Sequence, residues 1–400
     1  MIRNMAYASL SAASAGLLVI LFILAGRALG DAEFGKFSFA LALGTIFETL
    51  MDFGLHQVTI RAVARDKSRA TELLHHTLGV KLVWATGALA ALVATATILR
   101  PQWDVRLACY LVGGSLVLRS YMLTIRGVLQ GLERFGWDSV VVAVDRGILL
   151  LFGAVALGVG SGLRGLVFAF VAARGTALAL TAWITRAQLG GVGLRFDRAL
   201  WGELQKKALP FGLFLVVLNL YSYVDAVMLG VMRTDVETGL YTAAYRVYEG
   251  LTYAPAVIAA VLTPRLSGLF VSDRAAHRRV ALWGLAGSIA LALTIGTAAY
   301  MLSAPLIVWL FGPAFAGAVP PFRVLCLGLG FVFVIWVLHA IAISVNAERV
   351  LVGLAVNVGL NLYVIPRMGA NGAALATVVG ELVSMGVLIT GVGSHLQKRP

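Results

Sequence analysis

Charged side chains lie inside the long apolar stretches of this sequence, where they could bind an anion. Five arginines fall there: Arg119, Arg146, Arg174, Arg246 and Arg323. A lipid-facing arginine at mid-helix costs roughly 2.5–3.5 kcal/mol, so such side chains must face protein or water. Arg323 is near a helix end, from which it can reach the membrane surface. Because Arg119, Arg146 and Arg174 have no acidic partner nearby in the sequence, we expect them to line an aqueous, cationic cavity.

Six carboxyl groups share these apolar stretches: Glu48, Asp52, Asp145, Asp225, Glu249 and Glu381. A desolvated carboxyl group can carry a proton or coordinate a sodium ion. The candidates for such ion coupling are Glu48, Asp52, Asp225, Glu249 and Glu381. For each of them internal ion pairing is the alternative, and Arg246 and Glu249 are spaced i,i+3 on one helix face. Asp145 and Arg146 point about 100° apart on a helix, which implies partners on other helices.

The composition identifies the elements that must carry these charges. The chain has 400 residues, of which 60% are hydrophobic and only 13% are charged, against about 25% charged in soluble domains. These values exclude a soluble enzyme, a secreted disulfide scaffold and a disordered protein, and they indicate a polytopic helical membrane protein. In such a protein a net charge of +13 reflects orientation and anionic lipid rather than nucleic acid.

Charges, glycines and prolines divide the chain into about twelve candidate transmembrane helices. They cover residues 5–28, 35–58, 76–98, 104–128, 137–158, 163–187, 208–230, 239–263, 279–303, 320–344, 348–365 and 370–394. The loops between them leave no room for a soluble catalytic domain. Gly30–Lys36 has P-loop spacing, but Phe37 replaces the required Ser or Thr. We therefore expect an all-α membrane protein without catalytic residues, metal or cofactor.

Orientation and internal repetition follow from the same segments. Twenty Lys and Arg residues, Lys81 among them, fall on the side that carries both termini, and seven fall on the other side; this predicts cytoplasmic termini. Motifs such as Leu29-Gly30 and Leu229-Gly230 recur at offsets of 200 to 207 residues. Two six-helix bundles, 1–190 and 208–400, are therefore predicted, joined by a cytoplasmic linker over 191–207. Their pseudo-twofold axis would run along the membrane normal.

Five groups of motifs occur in an order that resembles a known family. They are Ala25–Gly30 with Phe34-Gly35; Asp52–Leu55 with Arg61–Arg65; Val224–Gly230 with Gly239–Arg246; Pro305–Ile307 with Phe311-Gly312; and Asn357–Leu362 with Ile365-Pro366 and Gly369–Ala374. Together they resemble the polysaccharide-biosynthesis flippases of the multidrug/oligosaccharidyl-lipid/polysaccharide (MOP) exporter superfamily. The resemblance covers nearly the whole chain. It departs from the family at Asp31, where a proline is usual.

The resemblance implies alternating access by two six-helix bundles. It also implies movement of an undecaprenyl-pyrophosphate-linked oligosaccharide, such as an O-antigen repeat unit, from the cytoplasmic to the periplasmic leaflet of a bacterial inner membrane. The expected partners are this glycolipid, the bilayer, a polysaccharide polymerase and a chain-length regulator. On this interpretation the pyrophosphate or acidic sugars are held by Arg119, Arg146, Arg174 and Arg246.

Two other classes of protein stay open. A multidrug cation exporter of the same superfamily should have a cavity dominated by acids, whereas the unpaired charges of this sequence are mainly basic. A membrane-embedded glycosyltransferase or O-antigen ligase should carry a large exofacial loop with catalytic acids or arginines. The longest exofacial loop predicted here has roughly a dozen residues.

Overall fold

The fold is a set of helices without strands over the residues that the computed structural model describes, which are 14–191, 193–341 and 347–397. The helices are α1 (Ala15–Asp52), α2 (Leu55–Arg65), α3 (Ala70–Leu99), α4 (Trp103–Gly131), α5 (Phe135–Gly158), α6 (Gly162–Leu189), α7 (Arg198–Met232), α8 (Asp235–Leu251), α9 (Tyr253–Ser272), α10 (Arg274–Met301), α11 (Ser303–Phe311), α12 (Val319–Ile341), α13 (Ala347–Met368) and α14 (Ala370–Gln397). Residues 5–13 of the first predicted span and 342–344 of the tenth lie outside the described residues.

Hydropathy identifies the chain as a multi-pass membrane protein. Nine segments among the described residues are long and apolar enough to cross a bilayer. Large apolar side chains such as Ile98, Trp183 and Trp283 are more than two-thirds exposed on their helices. An outer surface of this kind is stable in lipid and would aggregate in water. The all-α membrane fold predicted from the composition is confirmed.

Several predicted helix boundaries are wrong because backbone breaks fall at other positions. The first two predicted spans belong to α1, which is interrupted at Gly30, with φ of 73° and ψ of 177°. The second predicted span ends early, since Phe53 and Gly54 both take left-handed conformations and α2 starts at Leu55. The eighth predicted span is divided between α8 and α9 at Thr252. Helix α11 was not predicted.

The chain forms two compact units, Met1–Val227 and Met228–Pro400. The boundary between them falls inside α7. The N-terminal half of α7 packs on the first unit, where Leu204 and Ala208 join a core with Leu55, Val58 and Val80. The sequence predicts a different division, with bundles over 1–190 and 208–400 and a linker over 191–207. It assigns α7 from residue 208 onward to the second bundle, and this division stays a prediction.

The segment after α6 is held against α3. The backbone N–H of Arg195 donates to the carbonyl oxygen of His75 at 3.0 Å, and Thr71 Oγ1 donates to the carbonyl oxygen of Leu189 at 3.1 Å. Gly79 lies beneath this segment: a Cβ at Gly79 would stand 2.1 Å from the carbonyl oxygen of Arg195. The close approach of two backbones therefore requires glycine at this position.

We predict that Gly79→Ala destabilises the protein by about 1–3 kcal/mol, because the added methyl group must displace backbone rather than a flexible side chain. The matched control is Gly87→Ala, also in α3, where a Cβ would meet nothing within 4 Å. Thermal unfolding can be followed with a thiol-reactive dye, since Cys109 and Cys326 are free and buried. Equal midpoints for the two variants would contradict the packing described here.

Candidate functional site

Six charged side chains from five helices approach one another in the first unit, and we call them the charge cluster. Helix α1 supplies two carboxylates, α5 supplies the third, and α3, α4 and α6 each supply one cation. The members are Glu48, Asp52, Lys81, Arg119, Asp145 and Arg174. The formal charges of three carboxylates and three cations cancel.

The Arg119–Glu48 pair combines a buried acid with an accessible base. Arg119 Nη1 donates to Glu48 Oε2 at 2.5 Å. The Glu48 side chain is only 6% exposed, while 37% of the Arg119 side chain is exposed. The second oxygen of Glu48, Oε1, is buried and has no hydrogen-bond partner among the described residues. Arg119 is therefore the most exposed member of the charge cluster.

The Arg174–Asp145 pair is closed to solvent. Arg174 Nη1 donates to both carboxylate oxygens of Asp145, and both side chains are less than a tenth exposed. Arg174 is also within electrostatic range of Glu48 and Arg119. Asp145 thus has its partner on another helix, as the sequence predicts. With its charge compensated and its surface covered, Arg174 is unsuited to direct contact with a substrate.

The Lys81–Asp52 pair is not evident from the sequence, where Lys81 falls at the start of the third predicted span, 76–98, and is counted among the basic residues of the predicted cytoplasmic side. That assignment is wrong. The side chain of Lys81 is fully buried, and its Nζ donates to Asp52 Oδ1 at 2.6 Å and to the carbonyl oxygen of Ser120 at 2.7 Å. Without Lys81 the side that is predicted to be cytoplasmic retains nineteen of the twenty basic residues counted for it. The signal that could have identified the pair is the isolation of Lys81 inside an apolar run.

The break between α1 and α2 fixes the position of Asp52 at a helix end. Phe53 and Gly54 have φ of 39° and 79°. The ring of Phe53 stacks on Trp84, with centroids 5.0 Å apart. A Cβ at Gly54 would stand 2.8 Å from the backbone nitrogen of Gly212 in α7. The break is therefore wedged between α3 and α7, and this holds the carboxylate of Asp52 in place for Lys81.

These pairs correct the expectation that the unpaired charges of the spans are basic. Arg119 and Arg174 both have carboxylate partners, which sequence spacing alone could not reveal because the partners lie on other helices. Arg146 donates from Nη1 to the hydroxyl of Ser14 at 2.8 Å. Arg323 donates from Nε to the hydroxyl of Ser303 at 2.8 Å.

The second unit contains its own buried polar groups. Arg246 Nη1 donates to Glu249 Oε2 at 2.7 Å, which confirms the i,i+3 pairing. The hydroxyl of Tyr248 donates to Glu381 Oε1 at 2.5 Å. Glu381 is buried, and a Cβ at Gly328 would stand 2.5 Å from its Oε2. The remaining coupling candidate, Asp225, is 3% exposed and lies near the end of the first unit.

No group of three or more His, Cys, Asp or Glu side chains within the described ranges is arranged to hold a metal ion. What the charge cluster offers instead is one guanidinium that is 37% exposed and bonded to a buried carboxylate, beside two ion pairs whose side chains are at most 11% exposed. Such a guanidinium can bind an anion reversibly by donating charge-assisted hydrogen bonds to it.

The sequence was compared with protein-family models and with curated proteins. Residues 1–270 match the family described as "Polysaccharide biosynthesis protein". No curated protein matches the sequence significantly.

Solved structures share the fold across almost the whole chain. An inward-facing multidrug resistance MATE family transporter of the MOP superfamily has a TM-score of 0.75 at 16% identity, with 98% of each chain covered. The lipid II flippase MurJ in an inward closed conformation has a TM-score of 0.73 at 14% identity, with 98% of this chain and 88% of MurJ covered. A third structure is a MOP superfamily transporter from Pyrococcus furiosus, whose binding pocket is described as having reversed polarity. It has a TM-score of 0.60 at 16% identity, with 100% of this chain and 96% of the transporter covered.

We predict that Lys81→Met destabilises the protein by about 3–5 kcal/mol, because it leaves the carboxylate of Asp52 buried without its cation. The double variant Lys81→Met/Asp52→Asn should recover much of this loss. Lys67→Met is the control, since the Lys67–Glu133 pair is more than half exposed on both sides and should contribute less than about 1 kcal/mol. Thermal unfolding in detergent measures all three. A Lys81→Met midpoint equal to that of Lys67→Met would show that the buried pair has no structural role.

Proposed function

Because the chain belongs to the polysaccharide biosynthesis protein family, we propose that it is a flippase for an undecaprenyl-pyrophosphate-linked oligosaccharide. It moves this glycolipid, an O-antigen or other repeat unit, from the cytoplasmic to the periplasmic leaflet of a bacterial inner membrane. The observation that carries the proposal, beside the family match, is the accessible guanidinium of Arg119 inside a membrane-spanning helix. The protein is a transporter and catalyses no covalent step.

The physical problem explains why such a protein is needed. Each sugar hydroxyl, and above all the pyrophosphate, costs several kcal/mol to carry through hydrocarbon without hydrogen-bond partners. The polyprenyl tail is itself apolar and can stay in the bilayer. The protein therefore has to supply only a polar path for the head group, and alternating access by the two units would open that path to one side at a time.

The arginines take different roles in this proposal. Arg119 contacts the pyrophosphate directly, as the accessible member of the charge cluster. Arg146 and Arg246 are half-buried and add contacts to phosphate or acidic sugars. Arg174, which is enclosed by Asp145, positions Arg119 and Glu48 electrostatically instead of binding the head group.

The energy source and the partners belong to the same proposal. A proton or sodium gradient acts through one or more of the buried carboxyl groups, namely Glu48, Asp52, Asp225, Glu249 and Glu381. On the periplasmic side, a polymerase and a chain-length regulator consume the product and so keep net movement outward. Both termini lie in the cytoplasm, in line with the excess of Lys and Arg predicted for that side.

A multidrug cation exporter is the second candidate. It is favoured by the inward-facing MATE transporter with a TM-score of 0.75, although at 16% identity that likeness reaches only the fold. An organic cation would find the accessible position of the charge cluster occupied by Arg119, of like charge. Accumulation of organic cations by vesicles that contain the protein, without movement of glycolipid, would favour this alternative.

We predict that Arg119→Gln lowers the rate of glycolipid flipping by roughly ten- to a hundredfold, the equivalent of one lost charge-assisted hydrogen bond of about 1.5–3 kcal/mol. The assay reconstitutes the protein in vesicles with a fluorescent undecaprenyl-pyrophosphate oligosaccharide and measures how fast probe in the inner leaflet becomes accessible to an external quencher. Arg69→Gln is the control, because Arg69 is an exposed surface arginine paired with Glu72.

Two outcomes would count against the proposal. Flipping by the wild-type protein no faster than in empty vesicles would contradict the transport function itself. A wild-type rate in Arg119→Gln, with normal insertion, would remove Arg119 from the head-group site.

A further inference from the structure

The guanidinium that best suits an incoming anion is already bound to a carboxylate. Arg119 Nη1 lies 2.5 Å from Glu48 Oε2, so a phosphate oxygen that takes this nitrogen must compete with Glu48. The two partners differ in exposure, since the Arg119 side chain is 37% exposed and the Glu48 side chain only 6% exposed. An incoming anion can therefore contact Arg119 more readily than it can contact Glu48.

The cations beside Glu48 in the described part of the chain are already bound to other groups. Its main electrostatic neighbours, besides Arg119, are Arg174, Asp52 and Lys81. Arg174 is bound by Asp145, and Lys81 is bound by Asp52 and the carbonyl oxygen of Ser120.

The other carboxylate beside Arg119, as far as the described residues show, is also already paired. Its electrostatic neighbours include Asp145 on α5 and Tyr223 on α7, and Asp145 is already committed to Arg174. Glu48 Oε1 has no hydrogen-bond partner among the described residues. If Arg119 leaves, Glu48 becomes a buried carboxylate whose neighbouring cations, within the described residues, are already bound to other acids, and this strongly disfavours its ionised form.

We propose that Glu48 is the internal competitor for the substrate anion at Arg119, and that binding of the anion is accompanied by uptake of one proton from water onto Glu48. The inference rests on the head-group role of Arg119 proposed above. The balance is simple: the anion takes the guanidinium, the Arg119–Glu48 hydrogen bond breaks, and the carboxylate becomes a neutral carboxylic acid. The bound anion adds negative charge to the charge cluster, and the proton on Glu48 removes one negative charge. The net charge of the cluster therefore changes by less than the charge of the anion.

Competition of this kind makes the site selective. A weakly charged anion cannot displace Glu48, while a pyrophosphate, which can bridge a guanidinium through two oxygens, can do so. It also ties occupancy to proton supply, because release of the anion lets Arg119 return to Glu48 and expels the proton. Glu48 is thus a specificity-determining residue. Because its proton would move outward together with the anion, the gradient proposed above acts through another of the five carboxyl groups.

The test uses the full-length protein in lipid nanodiscs with inorganic pyrophosphate as the probe. Infrared difference spectra of the wild-type protein, recorded before and after pyrophosphate is added, should gain a band of a protonated carboxylic acid. Glu48→Gln should lack this band and should bind pyrophosphate at least roughly tenfold more tightly, which corresponds to about 1.4 kcal/mol. Because pyrophosphate itself titrates, the comparison is made at the same pH, and the ratio of the two affinities should grow as the pH rises.

The matched control is Glu72→Gln. It releases Arg69 from an i,i+3 pair that is nearly half exposed on both sides, and it should change neither the pyrophosphate affinity nor the infrared band. If Glu48→Gln fails to insert into the membrane, the wild-type spectrum alone still shows whether a carboxyl group takes up a proton when pyrophosphate binds.

The outcomes separate this inference from the proposed function. One outcome would overturn the competition and leave the head-group site intact. In that outcome Arg119→Gln abolishes pyrophosphate binding, but the wild-type spectrum gains no protonated-carboxyl band and Glu48→Gln binds no more tightly. Failure of the wild-type protein to bind pyrophosphate, or equal binding by Arg119→Gln, would overturn both.

Discussion

A charge inside a membrane-spanning helix must be paired or hydrated, and the first unit of this protein is organised around that requirement. Helices α1, α3, α4, α5 and α6 each contribute at least one charged side chain to the charge cluster. Each cation is matched to one carboxylate on a different helix. Removing any of the three cations therefore leaves a buried carboxylate, whose cost is comparable to a large part of a protein's net stability. The pairing therefore constrains how these five helices can pack.

The three pairs differ in the one property that matters for transport. Lys81–Asp52 and Arg174–Asp145 are enclosed, and they anchor the helices and the break that follows Asp52. Arg119–Glu48 is open on the side of the arginine. A charge-balanced cluster with one accessible cation differs from the broadly cationic cavity that the sequence suggests. In the proposed competition, its positive charge becomes available when a stronger anion, or a proton on the competing acid, releases it.

The sequence predicted the helical membrane fold and the family, because both follow from long-range composition and from motifs that stay together in the chain. It did not predict which charges pair. The i,i+3 contact of Arg246 with Glu249 was visible, since both residues lie on one helix face. The partners of Arg119 and Arg174 lie 71 and 29 residues away, and no spacing rule connects them. Lys81 was misplaced because a lysine in an apolar run resembles a loop boundary, whereas its buried partner makes it part of the interior.

The central claim is that position 119 reaches water from within the membrane-spanning region while position 174 does not. It can be measured directly by introducing a single thiol through Arg119→Cys or Arg174→Cys, with Cys109 and Cys326 replaced by alanine, and by following the reaction with a charged, membrane-impermeant thiol reagent. We expect rapid modification of the thiol at 119 and little or no modification at 174. Equal reactivity at both positions, or no reaction at 119, would contradict the claim.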